Sequence, residues 1–140
     1  MGVNRTREPA GLTEWLQALS RVKPNWPTRG WSFDNRFMTL ASTFRSDVAP
    51  QARGAISKVL PTEWTEATLR LAPQPVRDIA SRTGGVRAGQ FLFTHAITPT
   101  VLAYGLWWPW EEGSTVSMRV GIDGAGDMTF RLCEAMGVEP

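Results

Sequence analysis

From Gln90 to Ile122 the apolar residues recur with a period of two, whereas those before Gly85 recur with a period near 3.6. Successive strand residues point to opposite faces, so the first period buries one face of a sheet and the second one stripe of a helix. Phe91, Phe93, His95 and Ile97 alternate with Leu92, Thr94 and Ala96, and Thr98-Pro99 turns the chain. Val101 to Trp108 is apolar throughout, and Glu111 to Ser114 turns the chain again. Val116, Met118, Val120 and Ile122 then alternate with Ser117, Arg119 and Gly121, as in a strand with one wet face. After the Gly-rich turn Asp123 to Asp127, Met128, Phe130 and Leu132 fit a fourth strand. Asp127 as a cap with Leu132, Ala135 and Met136 fits a terminal helix nearly as well.

The first half reads as helices. Leu12, Trp15, Leu16, Leu19 and Val22 share a helical stripe, with Thr13 as N-cap and Lys23-Pro24 as the stop. Pro24 to Trp31 reads as a loop pinned by Trp26 and Trp31. Phe33, Phe37, Leu40, Ala41 and Phe44, behind Asp34 as a cap, predict a second helix ending near Arg45. Pro50 opens a third, with Ala52, Ile56, Val59 and Leu60 on one face and Pro61 as its end, although Gly54 weakens it. Thr62 to Leu71 fits both periods, and helix is favoured. Pro73 and Pro75 frame a further helix carrying Val76, Ile79 and Ala80, closed by Gly84-Gly85. The expectation is an α+β fold of N-terminal helices packed on a C-terminal three- to four-stranded antiparallel meander. Residues 1–140 form one domain in this reading, with residues 1–11 a loosely ordered start.

Composition narrows the chemistry. Fifteen Lys and Arg against thirteen Asp and Glu leave a formal net charge of +2, with the two signs interspersed, which disfavours a nucleic-acid partner. Thirteen of the fifteen cations are Arg, a skew that suits a GC-rich bacterial gene. The single cysteine, Cys133, leaves no internal disulfide and no multi-thiolate zinc site. The polar start lacks the apolar core of a secretory signal, and no apolar run reaches the roughly 20 residues that cross a bilayer. The expectation is a cytoplasmic protein with no membrane contact, no metal and no cofactor.

His95 is the only histidine, so any histidine-dependent catalysis runs through it, either with Cys133 or in a small-molecule pocket with Tyr104. The carboxylate pairs Glu63 with Glu66, Glu111 with Glu112, and Asp123 with Asp127 sit where a first helical turn or a tight turn explains them. Thr83 to Gly89 is Gly-rich and flanked by Arg82 and Arg87, but lacks the Gly-Lys-Ser/Thr of a phosphate loop and precedes a strand.

Pro75 to Val86, with its Val76-Arg77-Asp78-Ile79-Ala80 run and Gly-Val turn, resembles the second helix and turn of bacterial helix-turn-helix repressors. The resemblance covers about a dozen residues and implies a DNA-binding regulator over residues 75–90, with Arg77, Arg82 and Arg87 as contacts. The chain departs from that pattern in its two glycines and in the strand-like Gln90 to Phe93, where the family has its recognition helix.

Seven tryptophans in 140 residues are several times the usual share. The densest run is Trp107-Trp108-Pro109-Trp110-Glu111-Glu112. Neighbouring strand residues face opposite ways, so if one of Trp107 and Trp108 enters the core the other needs a helix, a ligand or a partner as cover. An aromatic surface rimmed by Glu111 and Glu112 has the composition of an interface hot spot that receives a basic partner. Sparse reactive groups and abundant indoles point to a domain that binds another protein without catalysis. A bacterial immunity or antitoxin protein that occludes a toxin is the specific form of that expectation.

Overall fold

The computed structural model describes residues 8–28, 30–110, 112–126 and 128–140. The loosely ordered start expected over residues 1–11 therefore lies mostly outside the described residues, as do Glu111 and Asp127.

Among the described residues, four α-helices and one six-stranded antiparallel sheet make the fold α+β. In chain order they are α1 (Leu12–Ser20), β1 (Trp31–Asp34), β2 (Thr39–Arg45), α2 (Ala49–Ile56), β3 (Thr62–Trp64), α3 (Gln74–Arg82), β4 (Phe91–Thr98), β5 (Val101–Pro109), β6 (Thr115–Asp123) and α4 (Thr129–Met136). The sheet order is β1-β2-β6-β5-β4-β3. The sheet thus has more strands than the three or four expected: β1, β2 and β3 come from the helical-looking half, and the expected fourth meander strand is α4.

The second helix expected over Phe33 to Arg45 is instead the β1–β2 hairpin. Its aromatic spacing satisfies a helical stripe, but Leu40, Ser42 and Phe44 also alternate, and β6 supplies a ladder for them from Leu40↔Val120 to Arg45↔Thr115. Asp34 caps no helix. Its Oδ1 accepts the Arg36 N–H at 2.9 Å, an Asx turn that reverses the chain, with Met38 in the left-handed region at φ 56°. Thr62 to Leu71 is likewise not one continuous helix: only Leu69–Leu71 form a single 3-10 turn. Thr62 to Trp64 form edge strand β3 on β4, and beyond it the Thr65 and Thr68 hydroxyls bond each other's backbone N–H groups, which closes the chain locally. The last element is a helix and not a fourth meander strand. It ends at Gly137 in the left-handed region, with Val138 N–H on the Cys133 carbonyl at 2.9 Å. Gly11, not Thr13, stands at the N-terminus of α1.

The two sheet faces differ. On the first face α1, α2 and α4 cover Leu40, Phe44, Phe93, Trp107, Met118 and Val120. Fully buried residues such as Leu12, Ile56, Phe93 and Met118 each contribute about 1.5–3 kcal/mol here. Rings run across this face in the order Trp31, Trp26, Phe44, Trp107, Phe93, Phe91, with neighbouring centroids 4.8 to 6.0 Å apart. The buried indoles of Trp15 and Trp26 donate to the Val59 carbonyl and the Ser42 hydroxyl, each at 2.9 Å. At the centre, a Cβ on Gly105 would lie 2.3 Å from Met118 Cε and 2.9 Å from Leu60 Cδ1, so any larger residue there displaces both side-chain ends.

On the second face α3 sets Val76, Ile79 and Ala80 on Leu92, Leu102, Tyr104 and Leu106, and so roofs the β3-β4-β5 side. Arg82, in its last turn, pairs with Asp123 at 2.7 Å and lies over the Tyr104 ring. Burial pushes the Tyr104 hydroxyl pKa up despite the Arg82 guanidinium beside it. No described helix covers the other half of this face, over β6, β2 and β1.

Candidate functional site

The site grows from the end of β5, where three tryptophans meet three environments. Trp107 points to the first face and is 4% exposed, its ring 5.5 Å from Phe44 and 5.8 Å from Phe93. Trp108 points the other way and is half-buried. Trp110 follows the strand and is 53% exposed. It is held by its N–H on the Thr115 carbonyl at 3.0 Å and by the Gly113 N–H on its own carbonyl at 2.9 Å. A large ring on a fixed backbone loses little entropy when something docks on it. Trp108, Pro109 and Trp110 with Gln90 and Glu112 line an open groove of about 610 Å³. Glu112 is exposed and accepts the Thr115 hydroxyl at 2.8 Å. Glu111 belongs to the expected surface by sequence but lies outside the described residues.

One of Trp107 and Trp108 is thus in the core, and the cover for the other comes from within the chain. The β1–β2 turn brings Phe37 edge-on to Trp108 at 5.7 Å, and Arg119 lays its guanidinium 4.8 Å over the same indole. Arg119 donates through Nε to Asp34 Oδ2 at 2.7 Å and through Nη1 to Ser117 Oγ at 3.0 Å. The Arg119 and Asp34 side chains are only 15% and 16% exposed. Burial pushes the Asp34 carboxyl up, but the Arg119 hydrogen bond, the Arg36 N–H and the two guanidinium charges outweigh it and hold the pKa below the usual value. Sequence reasoning missed this group. Arg119 stood out as a wet-face residue of β6, but Asp34 and Phe37 lie more than 80 positions earlier, in a segment read as helix.

The other candidates are dispersed. His95 pairs in register with Ala103 and shares the first face with Phe93, whereas Tyr104 pairs with Thr94 and shares the second face with Leu102 and Leu106. The two therefore point to opposite sides of the sheet, and the pocket expected between them does not form. Cys133 is buried in α4, which packs on α1, β2 and β6; β4, with His95, lies two strands beyond β6. Glu63 lies on β3, not in a helical turn, and pairs with Arg53, which also stacks on Phe91.

Of the cations in the repressor-like segment, Arg82 is committed to Asp123, Arg77 donates to Gln74 Oε1 at 2.8 Å, and Arg87 is exposed in the following loop. Gly84-Gly85 ends α3 as expected, with the Gly85 N–H on the Ala80 carbonyl at 2.7 Å. The chain then enters β4, so residues 75–90 supply no second helix to enter a major groove.

Among the described residues no three His, Cys, Asp or Glu side chains are grouped to hold a metal ion, and no helix is long and apolar enough to cross a membrane. No protein-family model, curated protein or solved structure matches the chain.

Proposed function

We propose that this protein is a binding domain without catalysis of its own, and that another protein docks on the end of β5 around Trp108, Pro109, Trp110 and Glu112. The observation that carries this reading is Trp110, a tryptophan left half in solvent beside a groove although the other six are buried or half-buried. Large rings on a rigid element, rimmed by charge, are the groups that dominate interface energies. Its specific form is a cytoplasmic inhibitor of the immunity or antitoxin type, which needs only a stiff sheet, aromatic anchors and complementary charge to occlude a target.

The test is affinity capture from the native lysate with wild type and Trp110→Ala as parallel baits, read by quantitative mass spectrometry. A protein retained in near-stoichiometric amount by wild type and reduced at least tenfold by Trp110→Ala is expected. Equal retention by both baits, or nucleic acid as the only retained component, would overturn the proposal.

A further inference from the structure

The cover over Trp108 indicates what the adjoining groove accepts. On the helix-free half of the second face, Arg36 lies 4.5 Å over the Phe37 ring, and Arg119 lies 6.0 Å from Phe37 and 4.8 Å over Trp108. Rings and guanidinium groups alternate here, and a carboxylate, Asp34, grips the edge of the inner guanidinium at 2.7 Å. The groove continues from this series. Its walls are Trp108 and Trp110, and its rim carries Glu112. Among the described residues no cation lies over Trp110 and no ion pair involves Glu112. Ring and carboxylate thus repeat the parts that hold Arg119, without a cation from this chain.

We infer that the groove takes an arginine side chain presented by the partner protein, its guanidinium stacked on Trp110 and its N–H fork paired with Glu112. The inference rests on the proposed reading of this surface as a protein-binding site. Cation–π attraction is strongest on indole, and a guanidinium stacks flat while keeping its in-plane donors for a carboxylate. An ammonium is more strongly hydrated and has no planar fork, so lysine fits the same parts less well. Asp34 pairs with Arg119 and offsets one of the two guanidinium charges of this series; the other, Arg36, stacks on Phe37 and not on Trp108. Pro109 and Gln90 line the remainder of the groove and meet the residues flanking the arginine.

The probes are the blocked peptides Gly-Arg-Gly, Gly-Lys-Gly and Gly-citrulline-Gly, the last matching arginine in shape without its charge. Each is titrated while the indole N–H resonance of Trp110 is followed by NMR. The arginine peptide is expected to shift that resonance saturably, at least tenfold more tightly than citrulline and severalfold more tightly than lysine, with affinity falling as salt rises. Glu112→Gln is expected to weaken it at least fivefold with an unchanged melting temperature. Equal affinity for arginine and citrulline, no saturable shift, or a stronger response to a proline-rich peptide would overturn the inference. Failure of the wider reading looks different, because it appears as capture unaffected by Trp110→Ala. A partner lost in Trp110→Ala but not displaced by the arginine peptide leaves that reading standing and removes the arginine.

Discussion

The two faces of this sheet are closed by different physics. On the first, three helices press aliphatic and aromatic side chains onto the strands, and stability follows from area withdrawn from water. On the second, α3 roofs only one half. The other half is closed by rings edge-on to rings, guanidinium groups over rings, and one nearly buried ion pair. Trp107 and Trp108 are joined by a single peptide bond and fall on opposite sides of this divide. The face closed by polar stacks ends in a groove between Trp108 and Trp110.

The comparison breaks most visibly at Trp107. Trp107→Ala removes the ring between Phe44 and Phe93 and leaves a cavity under α2, so we expect a loss of about 3–5 kcal/mol in urea unfolding. A loss under about 1 kcal/mol would mean that the first face is not the core. Next comes Arg119→Met, which keeps much of the packing on Trp108 but strands the Asp34 carboxylate, at a cost of about 2–3 kcal/mol at neutral pH. Because Asp34 has a folded-state pKa below its unfolded value of 3.8, its contribution is present above that pH and disappears as pH falls through the folded value. The gap between wild type and Arg119→Met should therefore be full near pH 7 and close as pH falls below 3.8. A gap constant across that range would show that Arg119 acts through packing alone.

How much of this was legible in the sequence depends on where each element finds its partner. α1, α2 and α3 have local periods and local stops, and β4 to β6 are joined by short turns, so their patterns need nothing from afar. The β1–β2 hairpin misleads because Phe33, Phe37, Leu40 and Phe44 form a helical stripe by themselves. What decides for strand is the ladder to β6, roughly 75 residues later in the chain. Strand β3 has only three residues and a Pro before it, too short for any period to show. At the site, the alternation rule places Trp107 and Trp108 on opposite faces from sequence alone. That Phe37 and Arg119 cover Trp108 does not follow from any local pattern, since it depends on the misread hairpin folding back over β6. The pairing of His95 with Tyr104 failed for a related reason. The two residues lie on neighbouring strands, and one step of register decides which face each one takes.

The smallest stability effect is expected where the functional effect is largest. Trp110 has no ring or cation stacked on it among the described residues, and what fixes its position is backbone hydrogen bonding that an alanine retains. Trp110→Ala should therefore unfold within about 0.5 kcal/mol of wild type. Trp108→Ala, which loses the Phe37 edge and the Arg119 stack, should fall between it and Trp107→Ala. Thermal melts of the three variants rank them directly. The order 107, 108, 110 from most to least damaged follows from one buried, one stacked and one exposed ring. If Trp110→Ala proved as damaging as Trp107→Ala, Trp110 would be a structural residue, and neither the groove nor its proposed partner would have an anchor.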